Sequence, residues 1–141
     1  LGIGEMNVVT EVIRHRISAA TALPVPLFEP SQVLHYSVGQ SFRPHHDFLD
    51  PGNPAYCDDL ARFGQRIATF LIYLNDGYGG GETSFPAIDL QFRASEGDAL
   101  FLTNVTRDGT PDPTTLHAGL PPTSGEKWVF SQWIRGQLPS A

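Results

Sequence analysis

The chain has 141 residues and carries nine Lys and Arg against fifteen Asp and Glu, a net charge of -6. That balance lacks the clustered cations phosphates demand, so no nucleic-acid partner is expected, and no apolar run is long enough to span a bilayer. Hydrophobic residues at 40% suffice for the core of a single domain over 1–141, while 14 Gly and 12 Pro favour short strands joined by tight turns over a helical bundle. The only cysteine, Cys57, cannot close an internal disulfide, which points to a reducing cytoplasm rather than secretion. The sequence opens on Leu1 rather than Met, and the expectation allows for truncation at the N-terminus. Composition gives no expectation of oligomeric state.

In chain order, Val8, Val9, Val12, Ile13, Ile17 and Ala20 recur at three- and four-residue spacing with Glu11, Arg14 and Arg16 between them, the pattern of an amphipathic helix. Pro24 and Pro26 end it. Gln32 to Val38 alternates as a strand, with Leu34, Tyr36 and Val38 on one face. Tyr36 reads equally as a core tyrosine or a pocket hydroxyl. The turn formers from Asp50 to Pro54 open a polar run to Gln65 that is too long for a hairpin, so Leu49 to Gln65 is the candidate lid. Ile67 to Leu74 is apolar on both faces and reads as a central strand covered on both sides. The run Gly79-Gly80-Gly81 invites a phosphate-loop reading but lacks the Gly-Lys-Ser/Thr ending and a following helix. Short strands at Thr83, Phe85 and Phe92 and from Asp98 to Asn104 follow, then a turn-rich loop over Arg107 to Thr114 and an alternating strand from Lys127 to Arg135. One flanking helix on many short strands gives a mainly β fold, a sandwich or barrel, with the jelly roll best suited to an interior metal.

Two places carry chemistry. In Pro44-His45-His46-Asp47-Phe48, an extended backbone projects His45 and Asp47 from one face and His46 from the other. With His117 from a neighbouring strand, this makes two imidazoles and one carboxylate, a set that suits ferrous iron and oxygen chemistry; the bland alternative for the triplet is a solvated turn. In the last strand, Lys127 shares a face with Val129, Ser131 and Trp133. A buried ammonium needs an anion, either an acidic side chain such as Asp98 or a bound carboxylate.

Several stretches resemble the catalytic domain of prolyl 4-hydroxylases, within the iron(II)- and 2-oxoglutarate-dependent dioxygenases. They are Val33-Leu34-His35-Tyr36 with Gly39-Gln40, Pro44 to Phe48, Arg66-Ile67-Ala68-Thr69 and Tyr73-Leu74-Asn75-Asp76. Gly80 to Pro86, Gly97 to Leu100, Leu116 to Gly119 and Gly125 to Val129 continue the match in family order over almost the whole chain. The resemblance implies a double-stranded β-helix, a cupin-like jelly-roll barrel. It implies Fe(II) on His45, Asp47 and His117, and 2-oxoglutarate held by Lys127 with Tyr36 and Thr83 as hydrogen-bond partners. Trp133 and Arg66 match positions lining the pocket where cosubstrate and substrate meet, and Arg66 is the candidate catalytic side chain. The implied reaction is hydroxylation of a prolyl residue in a peptide or protein, with dioxygen as cosubstrate, ascorbate as accessory reductant and decarboxylation of 2-oxoglutarate to succinate. The alternatives are the same chemistry on another residue or a small molecule, and a non-catalytic barrel that binds metal or peptide. His46 reads as structural or as a support behind the ligands, and His15 and His35 as surface and scaffold. Phe42 stands where family members often have a tyrosine, and the chain begins late relative to the family.

Overall fold

The computed structural model describes residues 7–138. Helix α1 (Val8–Thr21) is capped by the Asn7 side chain, which accepts from the Thr10 N–H at 2.9 Å, and it stops at Ala22 in the left-handed region. Only part of its expected apolar face turns inward. Ile17 is buried with Ile13 beside it, whereas Val8, Val9 and Val12 are exposed. The buried cation on this helix is Arg14, which donates to the Glu29 carbonyl at 2.8 Å and to Gln132 Oε1 at 3.2 Å, docking the helix through hydrogen bonds as well as packing.

Among the described residues ten strands follow: β1 (Gln32–Tyr36), β2 (Phe42–His45), β3 (Arg66–Tyr73), β4 (Gly79–Gly80), β5 (Thr83–Phe85), β6 (Leu90–Phe92), β7 (Ala99–Thr103), β8 (His117–Gly119), β9 (Pro122–Ser124) and β10 (Lys127–Arg135). They form two four-stranded antiparallel sheets, ordered β1-β10-β3-β7 and β2-β8-β5-β6, with a two-stranded ribbon of β4 and β9. The chain passes back and forth between the two sheets, which is the double-stranded β-helix expected from the sequence. β3 lies inside its sheet between β10 and β7, as its two-faced hydrophobicity requires.

Alternation along β10 divides the core. Phe130 and Ile134 face outward with Ala68, Phe28 and Ile17, under α1. Val129 faces inward with Leu71, Tyr73 and Ala94, between the sheets. Gln132 on the outer face is fully buried, and its side-chain amide donates to the Glu29 and Trp133 carbonyls at 2.7 and 2.9 Å. Among the described residues, no helix is long and apolar enough to cross a membrane.

The candidate lid is not a free flap. Within Leu49 to Gln65 the chain makes a 3-10 turn at Pro54–Tyr56 and then helix α2 (Cys57–Phe63), with Asp58 and Asp59 in its first turn, Arg62 in its last and Gly64 closing it. The Gln65 side chain pins the start of the segment, accepting from the Leu49 N–H and donating to the Leu49 carbonyl, each at 2.7 Å. Asp59 pairs with Arg135, and the Gln137 amide donates to the Ala61 carbonyl at 2.9 Å, so the helix is fastened to the end of β10. We expect the Leu49 amide to exchange slowly with or without ligand, and Gln65→Ala to remove that protection. Hydrogen exchange that slowed across this segment only when ligand was added would restore the lid.

Candidate metal centre and adjoining cavity

The antiparallel pairing of β2 with β8 sets His45 directly opposite His117. β2 ends at His45, and a bend carries Asp47 back toward the same side. Asp47 Oδ1 then lies 3.5 Å from His45 Nε2, and Oδ2 lies 3.6 Å from His117 Nε2. One ligand atom from each of the three residues falls within 4.8 Å of the others. His46 turns away, with Nε2 3.1 Å from the Pro113 carbonyl and its ring stacked on Phe48.

Each histidine is oriented by the backbone. His45 Nδ1 is 2.8 Å from the Arg43 carbonyl and His117 Nδ1 is 2.9 Å from the Thr115 carbonyl. A carbonyl only accepts, so both Nδ1 atoms carry the proton and both Nε2 lone pairs face Asp47. Burial pulls the His117 imidazole below its ordinary pKa, with the Asp47 charge only partly offsetting this. Burial works the same way on His45, but the hydrogen bonds its protonated ring would donate to Asp47 and to the Arg43 carbonyl outweigh it and hold that ring above its usual value. For Asp47, burial alone would favour the neutral acid; a hydrogen bond from His45 and the charge of His117, each in its protonated form, together with the Thr69 hydroxyl bring it below the usual carboxylate range. An anionic, nine-tenths-buried oxygen donor between two outward nitrogen lone pairs fits a divalent cation with positions left open for other ligands.

The cavity beside this centre runs between the sheets along β1 and β10. Tyr36, Thr83 and Lys127 line one end, Gln32, Ser131 and Trp133 the other, and His45, Asp47 and His117 line it as well. Phe42 stands at this wall with its ring 4.1 Å from that of His45.

Lys127 is 2% exposed, and among the described residues no carboxylate lies within 4.0 Å of it. Its Nζ donates to the Gly81 carbonyl at 2.7 Å and lies 5.3 and 5.5 Å from the ring centres of Tyr36 and Tyr73. Asp98, the sequence candidate for its partner, is occupied elsewhere: its carboxylate accepts from the Ser95 N–H at 2.8 Å and closes the turn before β7. Burial brings the Lys127 ammonium down to about 8, only partly countered by the Glu82 charge. Gly81 can present its carbonyl here because its backbone is left-handed, at φ +70°, and a Cβ would come within 2.9 Å of the Tyr78 ring. The glycine run thus shapes the lysine's site instead of a phosphate loop.

Tyr36 and Thr83 both border the lysine end. Burial raises the Tyr36 phenol to about 12, so it remains a neutral donor. Thr83 Oγ1 is 2.7 Å from the Tyr73 hydroxyl. Tyr73 closes β3, and the sequence marks it only as a residue of the two-faced strand Ile67 to Leu74 and of the Tyr73-Leu74-Asn75-Asp76 match. Trp133 lines the opposite end, but Arg66 does not reach the cavity wall. Its guanidinium sits 3.8 Å from the Trp133 ring centre and is held by Glu29 through two hydrogen bonds of 2.7 and 3.0 Å. A bidentate partner and a stacked ring leave Arg66 supporting Trp133 from behind, which corrects its expected place in the lining. Thr69 and Asn104, which sequence reasoning passed over as strand residues, form a hydrogen-bonded chain onto Asp47.

Comparison with known proteins agrees with this geometry. Residues 31–135 match the family model described as the 2OG-Fe(II) oxygenase superfamily. The chain is 42% identical over 146 residues to prolyl 4-hydroxylase 5 of Arabidopsis thaliana, covering 89% of this chain and 48% of that protein. It is 41% identical over 125 residues to prolyl 4-hydroxylase subunit alpha-3 of Homo sapiens, covering 86% and 22% respectively. It therefore spans about half or less of the length of these curated relatives. Among solved structures, the viral collagen prolyl hydroxylase of Paramecium Bursaria Chlorella virus-1, in its 2OG complex, superposes with a TM-score of 0.70 at 30% identity, covering 95% of this chain and 75% of that one. A truncated form of the same viral protein gives a TM-score of 0.72 at 31% identity, covering 95% and 71%. With a family model matched over residues 31–135 and relatives above 40% identity, the chain belongs to the 2OG-Fe(II) oxygenase superfamily.

Proposed function

We propose that this chain is the catalytic domain of a dioxygenase that hydroxylates prolyl residues in a peptide or protein, using Fe(II), 2-oxoglutarate and dioxygen, with ascorbate as accessory reductant. The observation that carries the reading is the pairing, in one cavity, of the His45, Asp47 and His117 donor set with a buried lysine that has no carboxylate partner among the described residues. The names of the relatives support the prolyl substrate.

Iron bound with 2-oxoglutarate supplies dioxygen activation strong enough for an unactivated C–H bond, coupled to decarboxylation of 2-oxoglutarate to succinate. The protein's own residues do the rest. His45, Asp47 and His117 hold the metal on one side. Lys127 neutralises the far carboxylate of the cosubstrate, with the Tyr36 and Thr83 hydroxyls as further donors, at the cavity end away from Trp133. The Trp133 end is left for the substrate, with Arg66 and Glu29 fixing the tryptophan's ring. Leu34, Leu71 and Val129 make the wall between the two ends apolar and keep water from the reacting centre.

The direct test incubates the protein with Fe(II), 2-oxoglutarate and ascorbate and follows proline-rich peptides by mass spectrometry. We expect the gain of one oxygen on proline, lost in His117→Ala. Turnover that survives His117→Ala removes the metal assignment, and oxygen gained only on residues other than proline moves the substrate.

A charge-assisted hydrogen bond of this kind contributes about 1.5 to 3 kcal/mol, so Lys127→Ala should weaken 2-oxoglutarate roughly tenfold to a hundredfold with little change in metal affinity. Lys127→Arg should keep part of the binding, because the charge persists although the shape differs. An unchanged KM in a folded Lys127→Ala protein would make the lysine purely structural.

The depressed lysine sets a pH dependence. Below about 8 the ammonium is already formed; above it, binding the dianion must also restore a proton, so affinity falls as pH rises. Titrations at saturating metal should show affinity falling only about twofold from pH 7 to 8 and by up to about tenfold per unit beyond it. That decline should vanish in Lys127→Ala, and a flat profile in the parent protein would contradict it.

A further inference from the structure

Asp47 has two oxygens, and a metal site of this kind needs one of them turned outward and kept there. The carboxylate is 4% exposed and follows a bend, so β2 does not fix its rotation. Thr69, 1% exposed on β3, does: its Oγ1 lies 2.7 Å from Asp47 Oδ2. Behind it stands Asn104, fully buried at the residue after β7, whose Nδ2 donates to Thr69 Oγ1 at 3.0 Å.

The direction of this chain follows from its chemistry. A threonine hydroxyl has one proton, and a carboxylate can only accept, so the proton points to Asp47 and Thr69 must accept from its other neighbour. Only the amide nitrogen of Asn104 can satisfy that. The orientation leaves Asn104 Oδ1 buried without a partner among the described residues, an arrangement a protein tolerates only for something gained elsewhere. The reversed amide would offer an oxygen to the hydroxyl and draw its proton away from Asp47.

Asn104 also reaches the opposite ligand through its backbone. Its N–H donates to the Ile67 carbonyl at 2.8 Å, and its carbonyl accepts from the Asp112 N–H at 3.0 Å. The Asp112 carbonyl accepts from Thr115 Oγ1 at 2.7 Å, and the Thr115 carbonyl is the group that orients His117. One residue thus joins the support of Asp47 to the support of His117.

We propose that Thr69 and Asn104 are positioning residues for the metal centre, a buried hydrogen-bond relay that fixes which oxygen of Asp47 faces the ion. The proposal rests on the metal-binding reading above. Hydrogen bonds of this kind behind a ligand are worth tenfold to a hundredfold in metal affinity.

The test is titration with Co(II) alone, followed by calorimetry and by the visible absorption of the bound ion, whose intensity reports coordination geometry. Thr69→Val keeps the shape and removes the proton; we expect affinity roughly tenfold to a hundredfold weaker and an altered cobalt spectrum. Thr69→Ser retains the hydroxyl and should restore both. Asn104→Ala should weaken binding in the same direction. The double variant should bind no more weakly than Thr69→Val alone, because the asparagine acts through the threonine. If Thr69→Val does not fold, Asn104→Ala and Thr69→Ser carry the comparison. Parent-like affinity and spectrum in folded Thr69→Val or Asn104→Ala would overturn the relay while leaving the metal site standing. A parent protein that takes up no cobalt would overturn the metal reading and the relay with it.

Discussion

The register of β2 against β8 is the constraint on which the functional part of this molecule depends. An antiparallel pair fixes which residues face each other, and a slip of one residue would send His45 or His117 to the opposite face. Here the pairing brings His45 opposite His117, and the bend after β2 returns Asp47 to the same side. The candidate ligands come from positions 45, 47 and 117, so the long loop between them is closed by the fold as a whole. The cost of that closure is met by the two cores on either side of β10.

β10 is the second organising element. Its alternation puts Lys127, Val129, Ser131 and Trp133 toward the cavity, while Phe130, Gln132 and Ile134 meet α1 and the residues beneath it. The same strand therefore anchors the helix, forms the central core and supplies both ends of the cavity. Its first residue carries a charge into that interior. Lys127 is buried against two aromatic rings and one carbonyl, and burial lowers its hold on its proton. A lysine left in that condition is set up for an anion, which is why the cavity and the metal centre read as one site.

Much of this was legible in the sequence because it rests on short periods. Alternation in Lys127 to Arg135 and two-sided hydrophobicity in Ile67 to Leu74 gave the two central strands. The His45 and Asp47 spacing, with His46 between, put two candidate ligands on one side, although a bend after β2 and not continued alternation brings Asp47 there. What escaped depends on contacts between distant residues or on short signals. Asp98 was a reasonable partner for Lys127 by charge, but it closes its own turn. Arg66 was placed on the cavity wall because nothing in a linear reading reveals that Glu29 and Trp133 hold it from behind. The helix within the supposed lid was there to be found, since two aspartates, an arginine and a glycine fall at its start, last turn and end. Thr69 and Asn104 lie 35 residues apart and become partners only when β3 and β7 pair. No local pattern marks them.

In the proposed site metal and cosubstrate share one cavity, with the metal at His45, Asp47 and His117 and the carboxylate at Lys127. Anaerobic calorimetry of 2-oxoglutarate binding, with and without Fe(II), tests it most directly. One 2-oxoglutarate should bind per chain, tightly with Fe(II) present and much more weakly without it, because the lysine holds only one end of the molecule. Affinity indifferent to iron, or no binding with the metal in place, would contradict it.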